Sequence, residues 1–134
     1  MAKYVYPAIF SKEQNGQYSV AFPDLPGCYT CGNDLQDALD MANDALCLWL
    51  YDAEERQEPV CPPSDPKEIA VDQASFASLV SCDTIEYRKF YDNKSVKKTL
   101  TIPSWLNTIA ERENVNFSSV LSRALQSELH LEHR

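Results

Sequence analysis

The stretch from Ser95 to Leu129, SVKKTLTIPSWLNTIAERENVNFSSVLSRALQSEL, constrains the fold more than any other part of the chain. It opens with an alternating run from Val96 to Ile102 that stops at Pro103. A strand has a side-chain period of two, so Leu100 and Ile102 face one way and Lys97, Thr99 and Thr101 the other. Pro103 cannot donate to a ladder; it ends the strand and suits the first turn of a helix. Trp105, Leu106, Ile109 and Ala110 then fall on one helical face. Asn114-Val115-Asn116 breaks that pattern, and Ser118 is the expected N-cap of a second helix with Val120, Leu121, Ala124, Leu125 and Leu129 on one stripe. About 35 residues in one strand and two helices lie below the roughly 40-residue floor for unassisted folding. A lone strand also leaves its backbone groups unpaired. The economical solution is a symmetric dimer: two strands pair antiparallel, and four helices close over Leu100 and Ile102. The outer face of that ribbon carries Lys97, Thr99 and Thr101 twice, and a two-stranded ribbon fits the major groove of B-DNA.

Charge supports a division of the chain. Residues 1–94 hold 7 Lys and Arg against 16 Asp and Glu, net −9; residues 95–134 hold 5 against 4, net +1. The acidic part should avoid DNA and attract a basic protein. Lys97 and Lys98 put four positive charges on the dimeric ribbon. Charges beyond the roughly 8 Å Debye length are largely screened, so a tethered acidic domain does not prevent DNA binding. No apolar run approaches the roughly 18 residues of a membrane span. The start, MAKYVYPAIF, lacks a signal-peptide pattern, so a cytoplasmic location is expected.

The five cysteines, Cys28, Cys31, Cys47, Cys61 and Cys82, are an odd number. Without a secretory signal this points to reduced thiols. The Cys28-x-x-Cys31 pair sits in an expected strand, where its spacing puts the sulfurs on opposite faces. The only histidines, His130 and His133, lie at the chain end. No metal or other cofactor is expected.

In chain order, Tyr4 to Phe10 reads as a strand, Asn15-Gly16 as a hairpin turn, and Tyr18 to Phe22 as the returning strand. Pro23-Asp24-Leu25-Pro26-Gly27 turns the chain before a short strand from Cys28 to Cys31. Asp34 starts the longest helix, with Asp37 three residues on in a capping-box-like pattern. Leu35, Ala38, Leu39, Ala42, Ala45, Leu46 and Trp49 form its expected buried stripe, with Asp37, Asp40 and Asp44 opposite. Pro59 to Pro63 is extended connection. Ser64 is expected to cap a turn through Glu68, Phe76 to Cys82 to be a fourth strand, and Asp83 to cap a short helix through Phe90. Residues 1–90 thus form one domain, 91–94 a linker and 95–134 a second domain. The class is α+β, with a βββαβ layer over residues 4–82.

KKTLTIP followed by NFSSVL resembles the ribbon-helix-helix repressors, in the version found at the C-terminus of HicB antitoxins. YPAIF, the Asn-Gly hairpin, FPDLPGCYTCG and DLQDALDMA resemble the HicB N-terminal domain, a partial ribonuclease-H-like fold. The resemblance implies neutralisation of a small basic RNA-degrading HicA-type toxin, repression of the chain's own operon, and a homodimer or tetramer. On that basis Lys97, Lys98, Thr99, Thr101, Asn116, Ser118 and Ser119 are the expected DNA contacts, and Asp24, Asp37, Asp40 and Asp44 the expected toxin contacts. The loop Val115-Asn116-Phe117-Ser118 departs from many ribbon-helix-helix proteins in lacking a basic residue. Two other readings are available. A Mg²⁺-dependent nuclease would need carboxylates such as Asp24, Asp34, Asp37 and Asp44 to converge where a polyanion can reach, and their spacing disfavours it, so no enzymatic activity is expected. A ligand-sensing repressor would need a polar pocket that the sequence does not display.

Overall fold

The computed structural model describes residues 2–131, so His133 and the last three positions lie outside the described residues. The chain divides into two compact units, residues 1–93 and 94–134. In the first, the order is β1 (Lys3–Lys12), β2 (Tyr18–Ala21), β3 (Tyr29–Gly32), α1 (Leu35–Glu55), a short 3-10 turn (Pro66–Glu68), β4 (Ser75–Asp83) and α2 (Thr84–Tyr91). The strands form one antiparallel sheet in the order β3-β2-β1-β4. The mixed α+β class and the β-β-β-α-β order match the expectation, with strand ends shifted by one or two residues.

Turn chemistry accounts for the hairpins. Gly16 donates to the Glu13 carbonyl at 3.1 Å and Glu13 donates to Gln17 at 2.8 Å. The loop is therefore Gln14-Asn15-Gly16, with Gly16 at φ +86°; it is a three-residue hairpin closed by a left-handed glycine. Pro7 sits in β1 opposite Leu79. Lys12 N–H to Ala74 O and Thr84 N–H to Ala2 O fix the phase of the β1–β4 ladder, in which even-numbered residues exchange bonds. Pro7 is out of phase with those bonds and lies before β2 begins to pair at Ile9, so its missing N–H costs the sheet nothing.

The core lies between the sheet and α1: Tyr6, Ala8, Phe10, Val20, Phe22, Leu25, Val80 and Cys82 against Ala38, Ala42, Leu46 and Leu50. The helix stripe differs from the expected one. Leu35 and Leu39 are exposed (51% and 44%), while Cys47, Leu50 and Ala53 take buried places. The reason is close approach. A Cβ on Gly32 would stand 2.3 Å from the Ala38 nitrogen, so β3 and the start of α1 meet backbone to backbone. The Ala38–Ala42–Leu46–Leu50 ridge is fully buried against the sheet, Cys47 is buried beside it, and Leu35 and Leu39 stay on the rim.

Asp34 caps α1 as expected, accepting from Asp37 N–H at 2.8 Å; Asp37 in turn accepts from Asn33 N–H at 2.8 Å. Asp83 caps α2 through Ile85 N–H and Glu86 N–H. Ser64 does not cap the turn expected of it: Asp65 does, accepting from Lys67 N–H at 2.9 Å. Ser64 is engaged by Asp24 instead.

In the second unit, α3 spans Ser104–Arg112 and α4 spans Phe117–Glu128. Asn116, not Ser118, is the N-cap of α4, accepting from Ser119 N–H at 3.1 Å. Asn114, at φ +56°, lets Val115 N–H reach the Ala110 carbonyl at 3.0 Å and so closes α3. Residues 94–103 belong to no helix or paired strand and are exposed. The strand expected from Val96 to Ile102 is therefore not formed in the single chain. A ladder needs a second segment alongside, and among the described residues none pairs with this one.

Candidate functional site

Two surfaces carry chemistry, one on each unit. On the second, the apolar residues are outside. Leu100, Ile102, Trp105 and Ile109 are 58%, 47%, 66% and 51% exposed, and none of the residues of α3 or α4 is buried. The stripes read from the sequence exist, but one chain gives them nothing to cover. Lys97, Lys98, Thr99 and Thr101 are exposed on the segment without regular structure that precedes α3. Asn116, Ser118 and Ser119 lie together at the start of α4. There the Asn116 side chain already holds Ser119 N–H, and Phe117 and Ser118 keep the N–H groups that every helix start leaves without an intrahelical acceptor.

On the first unit, the four expected toxin-contact acids have different duties. Asp24 accepts from both the backbone N–H (2.8 Å) and the hydroxyl (2.5 Å) of Ser64, tying the Pro-rich turn to the connection after α1. Asp37 belongs to the cap of α1. Asp40 and Asp44 are exposed and line an open groove of about 530 Å³ with Leu39, Asn43, Leu79 and Ser81, between α1 and β4. The carboxylates of Asp24, Asp34 and Asp37 are therefore occupied with turns and caps. Among the described residues no three His, Cys, Asp or Glu side chains are grouped to hold a metal ion. Cys28 is buried and Cys31 exposed, as their spacing requires; burial pushes the Cys28 thiol up to about 11.

Sequence reasoning missed the polar centre of this unit. Glu54, near the end of α1, accepts from the Tyr4 hydroxyl (2.9 Å), the Thr84 hydroxyl (2.9 Å) and Arg88 Nη2 (3.1 Å). Burial raises the Glu54 pKa, but the hydrogen bonds it accepts, those from Thr84, Tyr4 and Arg88 among them, outweigh it and hold the carboxyl below its usual value. Burial also opposes the charge on Arg88, and its bonds to Glu55 and Glu54 reverse that. Tyr4 is pushed up to about 12 by burial and by Glu54. One carboxylate thus joins β1, α1 and α2. The available signal was the lone Arg88 in a segment otherwise read only for its caps.

Comparisons with known proteins place these surfaces in context. Residues 6–125 match the model of the HicB-like antitoxins of bacterial toxin–antitoxin systems. An uncharacterised 14.9 kDa protein from the rep-hol intergenic region of Haemophilus phage HP1 is 28% identical over 102 residues, covering 76% of this chain and 75% of the relative. Antitoxin HicB 1 of Photorhabdus laumondii is 29% identical over 91 residues, 66% of this chain and 56% of that protein. Among solved structures, a toxin–antitoxin complex from Streptococcus pneumoniae contains a chain that is 28% identical, with a TM-score of 0.61 over 94% of this chain and 99% of that one. The Burkholderia pseudomallei antitoxin HicB shares the fold at 22% identity, with a TM-score of 0.53 over 98% and 99% of the two chains. No helix among the described residues is long and apolar enough to cross a membrane. With its sheet-and-helix unit and its two-helix unit matched together by one family model, this chain belongs to the HicB-like antitoxins of bacterial toxin–antitoxin systems.

Proposed function

We propose that this antitoxin neutralises a small basic HicA-type toxin through residues 1–93 and represses its own operon through a dimeric ribbon built from residues 95–102. The observation that carries the DNA-binding half is the unsatisfied second unit. Its residues 94–103 have no strand partner, and the apolar residues of α3 and α4 are exposed. A second copy satisfies both needs at once: Leu100 and Ile102 turn inward beneath four helices, and Lys97, Thr99 and Thr101 emerge on the other side. Thr99 and Thr101 then meet base edges by hydroxyl and methyl, Lys97 and Lys98 neutralise phosphates, and the start of α4 from Asn116 to Ser119 takes a backbone phosphate. Support for the toxin-binding half comes from the acid excess of residues 1–94 and from the S. pneumoniae neighbour, a toxin–antitoxin complex.

The test uses the full chain and duplex DNA from its own promoter region. Thr99→Ala costs about 1–3 kcal/mol on that DNA and relaxes specificity, whereas Lys97→Ala lowers the salt slope by about 1 per lysine. Equal losses on promoter and random DNA for both variants refute base reading by the ribbon. For the partner, growth arrest by a HicA-type toxin is relieved when this chain is co-expressed, and the two co-purify.

A further inference from the structure

The far edge of β4 is open. β4 ends the sheet, and the ladder phase fixed by Ala74 and Thr84 points the N–H and C=O of Ala77, Leu79 and Ser81 away from β1. The Asn43 side chain donates to the Ser81 carbonyl at 2.5 Å; Ala77 and Leu79 have no such partner among the described residues. Folded proteins blunt long edge strands with lysine, proline or a bulge. β4, SFASLVSCD, has none of these: nine residues without a lysine or a proline. Leu79 is 54% exposed, and the groove of about 530 Å³ beside it is rimmed by Asp40 and Asp44.

We infer that the basic partner docks here, adding one of its own strands to β4 beneath the acidic rim of α1. This rests on the toxin-binding reading above and names the surface within it. Main-chain bonds to Ala77 and Leu79 provide the attachment. Side chains of an added strand alternate, so one set enters the groove toward Asp40 and Asp44 while the other meets Leu79 on the opposite face. Charge selects the occupant. A second copy pairing β4 to β4 about a two-fold axis normal to the sheet would set both α1 helices on one face. Asp40 and Asp44 would then confront the same acids across the junction. A basic partner meets them with opposite sign.

The experiment uses the full chain and a co-expressed HicA-type toxin. Because the Leu79 N–H points away from β1, Leu79→Pro removes an outward donor without breaking a β1 bond. It is expected to weaken toxin binding about tenfold or more, a loss of about 1.4 kcal/mol, and Asp40→Lys with Asp44→Lys is expected to do the same. In the unaltered complex, the Ala77 and Leu79 amides should exchange about tenfold more slowly than in the free chain, while the β1-bonded Ser78 and Val80 amides change little. This measurement decides the matter even where Leu79→Pro fails to fold. Tight binding with Ala77 and Leu79 unprotected overturns edge docking and leaves the antitoxin reading intact. Protection of these amides by raised concentration of the chain alone assigns the edge to a second copy and also overturns it. Failure of the unaltered chain to bind toxin removes both readings.

Discussion

Replacing Glu54 tests whether one carboxylate holds the first unit together. Its side chain is 8% exposed and that of its partner Arg88 is 15% exposed. Donors from Tyr4, Thr84 and Arg88 are among those that converge on it. Glu54→Ala leaves them facing a void, with Arg88 retaining Glu55 but already carrying a buried Nε without a partner. Removing one member of a buried ion pair costs about 3–5 kcal/mol. Glu54→Gln keeps the shape and one acceptor oxygen but turns an amide donor toward hydroxyl donors, for about 2–3 kcal/mol. The assay is urea unfolding followed by Trp49 fluorescence in a Trp105→Phe background, which leaves one tryptophan of two. With an m-value of about 1–3 kcal/mol/M, a loss of about 4 kcal/mol moves the midpoint by at least roughly 1 M. The pH dependence has a definite sign. Because the folded Glu54 pKa is lowered, its contribution is complete above the unfolded value of about 4.5 and fades as pH falls through the folded one. Tyr4 acts at the other end. Its raised pKa favours the folded state below its ordinary 10.0, and that advantage is lost as pH rises toward about 12. A Glu54→Ala cost under about 1 kcal/mol, or a cost unchanged at low pH, refutes the network as an energetic centre.

Gly32→Ala drives a methyl into the backbone of Ala38 and is expected to cost about 1–3 kcal/mol, read as a fall in melting temperature. A melting temperature within a degree of the parent would show that β3 and α1 can part cheaply. With thiol reagents on the native chain, Cys31 and Cys61 react quickly, while Cys28, Cys47 and Cys82, being buried, react only as the first unit opens; five equal rates would contradict that core. Melting should show two transitions, and on the proposed dimer only the one belonging to residues 94–134 should rise with protein concentration; two transitions independent of concentration would contradict it.

Apart from the strand expected over residues 96–102, which the single chain does not form, element types and order were legible because each rests on local chemistry. Pro103, Asp34 and Asp83 mark boundaries by what proline and capping carboxylates can do. What was not legible depended on distance. Leu35 and Leu39 satisfy helical periodicity, yet periodicity gives a face and not its width. The width was narrowed by Gly32, whose missing side chain lets α1 approach β3. Ser64 was read as a cap because serine caps well, but Asp24, forty residues earlier, claims its hydroxyl and amide. Glu54 was invisible for the same reason: Tyr4, Thr84 and Arg88, which donate to it, lie far from it in the chain. Among the candidate contacts, Asp40 and Asp44 line the groove and Asp24 and Asp37 hold turns, a sorting that net charge could not make.

The open edge of β4 and the unpaired residues 96–102 raise the question of why they do not pair with the wrong partners. Hydrogen bonding alone cannot sort them, since any extended segment offers the same donors and acceptors. Side chains can. Self-pairing of residues 96–102 buries Leu100 and Ile102 and leaves its lysines on the open face, where water or DNA phosphates neutralise them. Self-pairing of β4 would bring Asp40 and Asp44 against their own copies beside a groove with no cation to offset them. A toxin strand at the ribbon would in turn set its basic residues against Lys97 and Lys98. Under the proposed pairings, the acids of residues 1–94 and the lysines of the ribbon therefore act as a sorting device, by repulsion as much as attraction. It directs like to like at one edge and a foreign strand to the other.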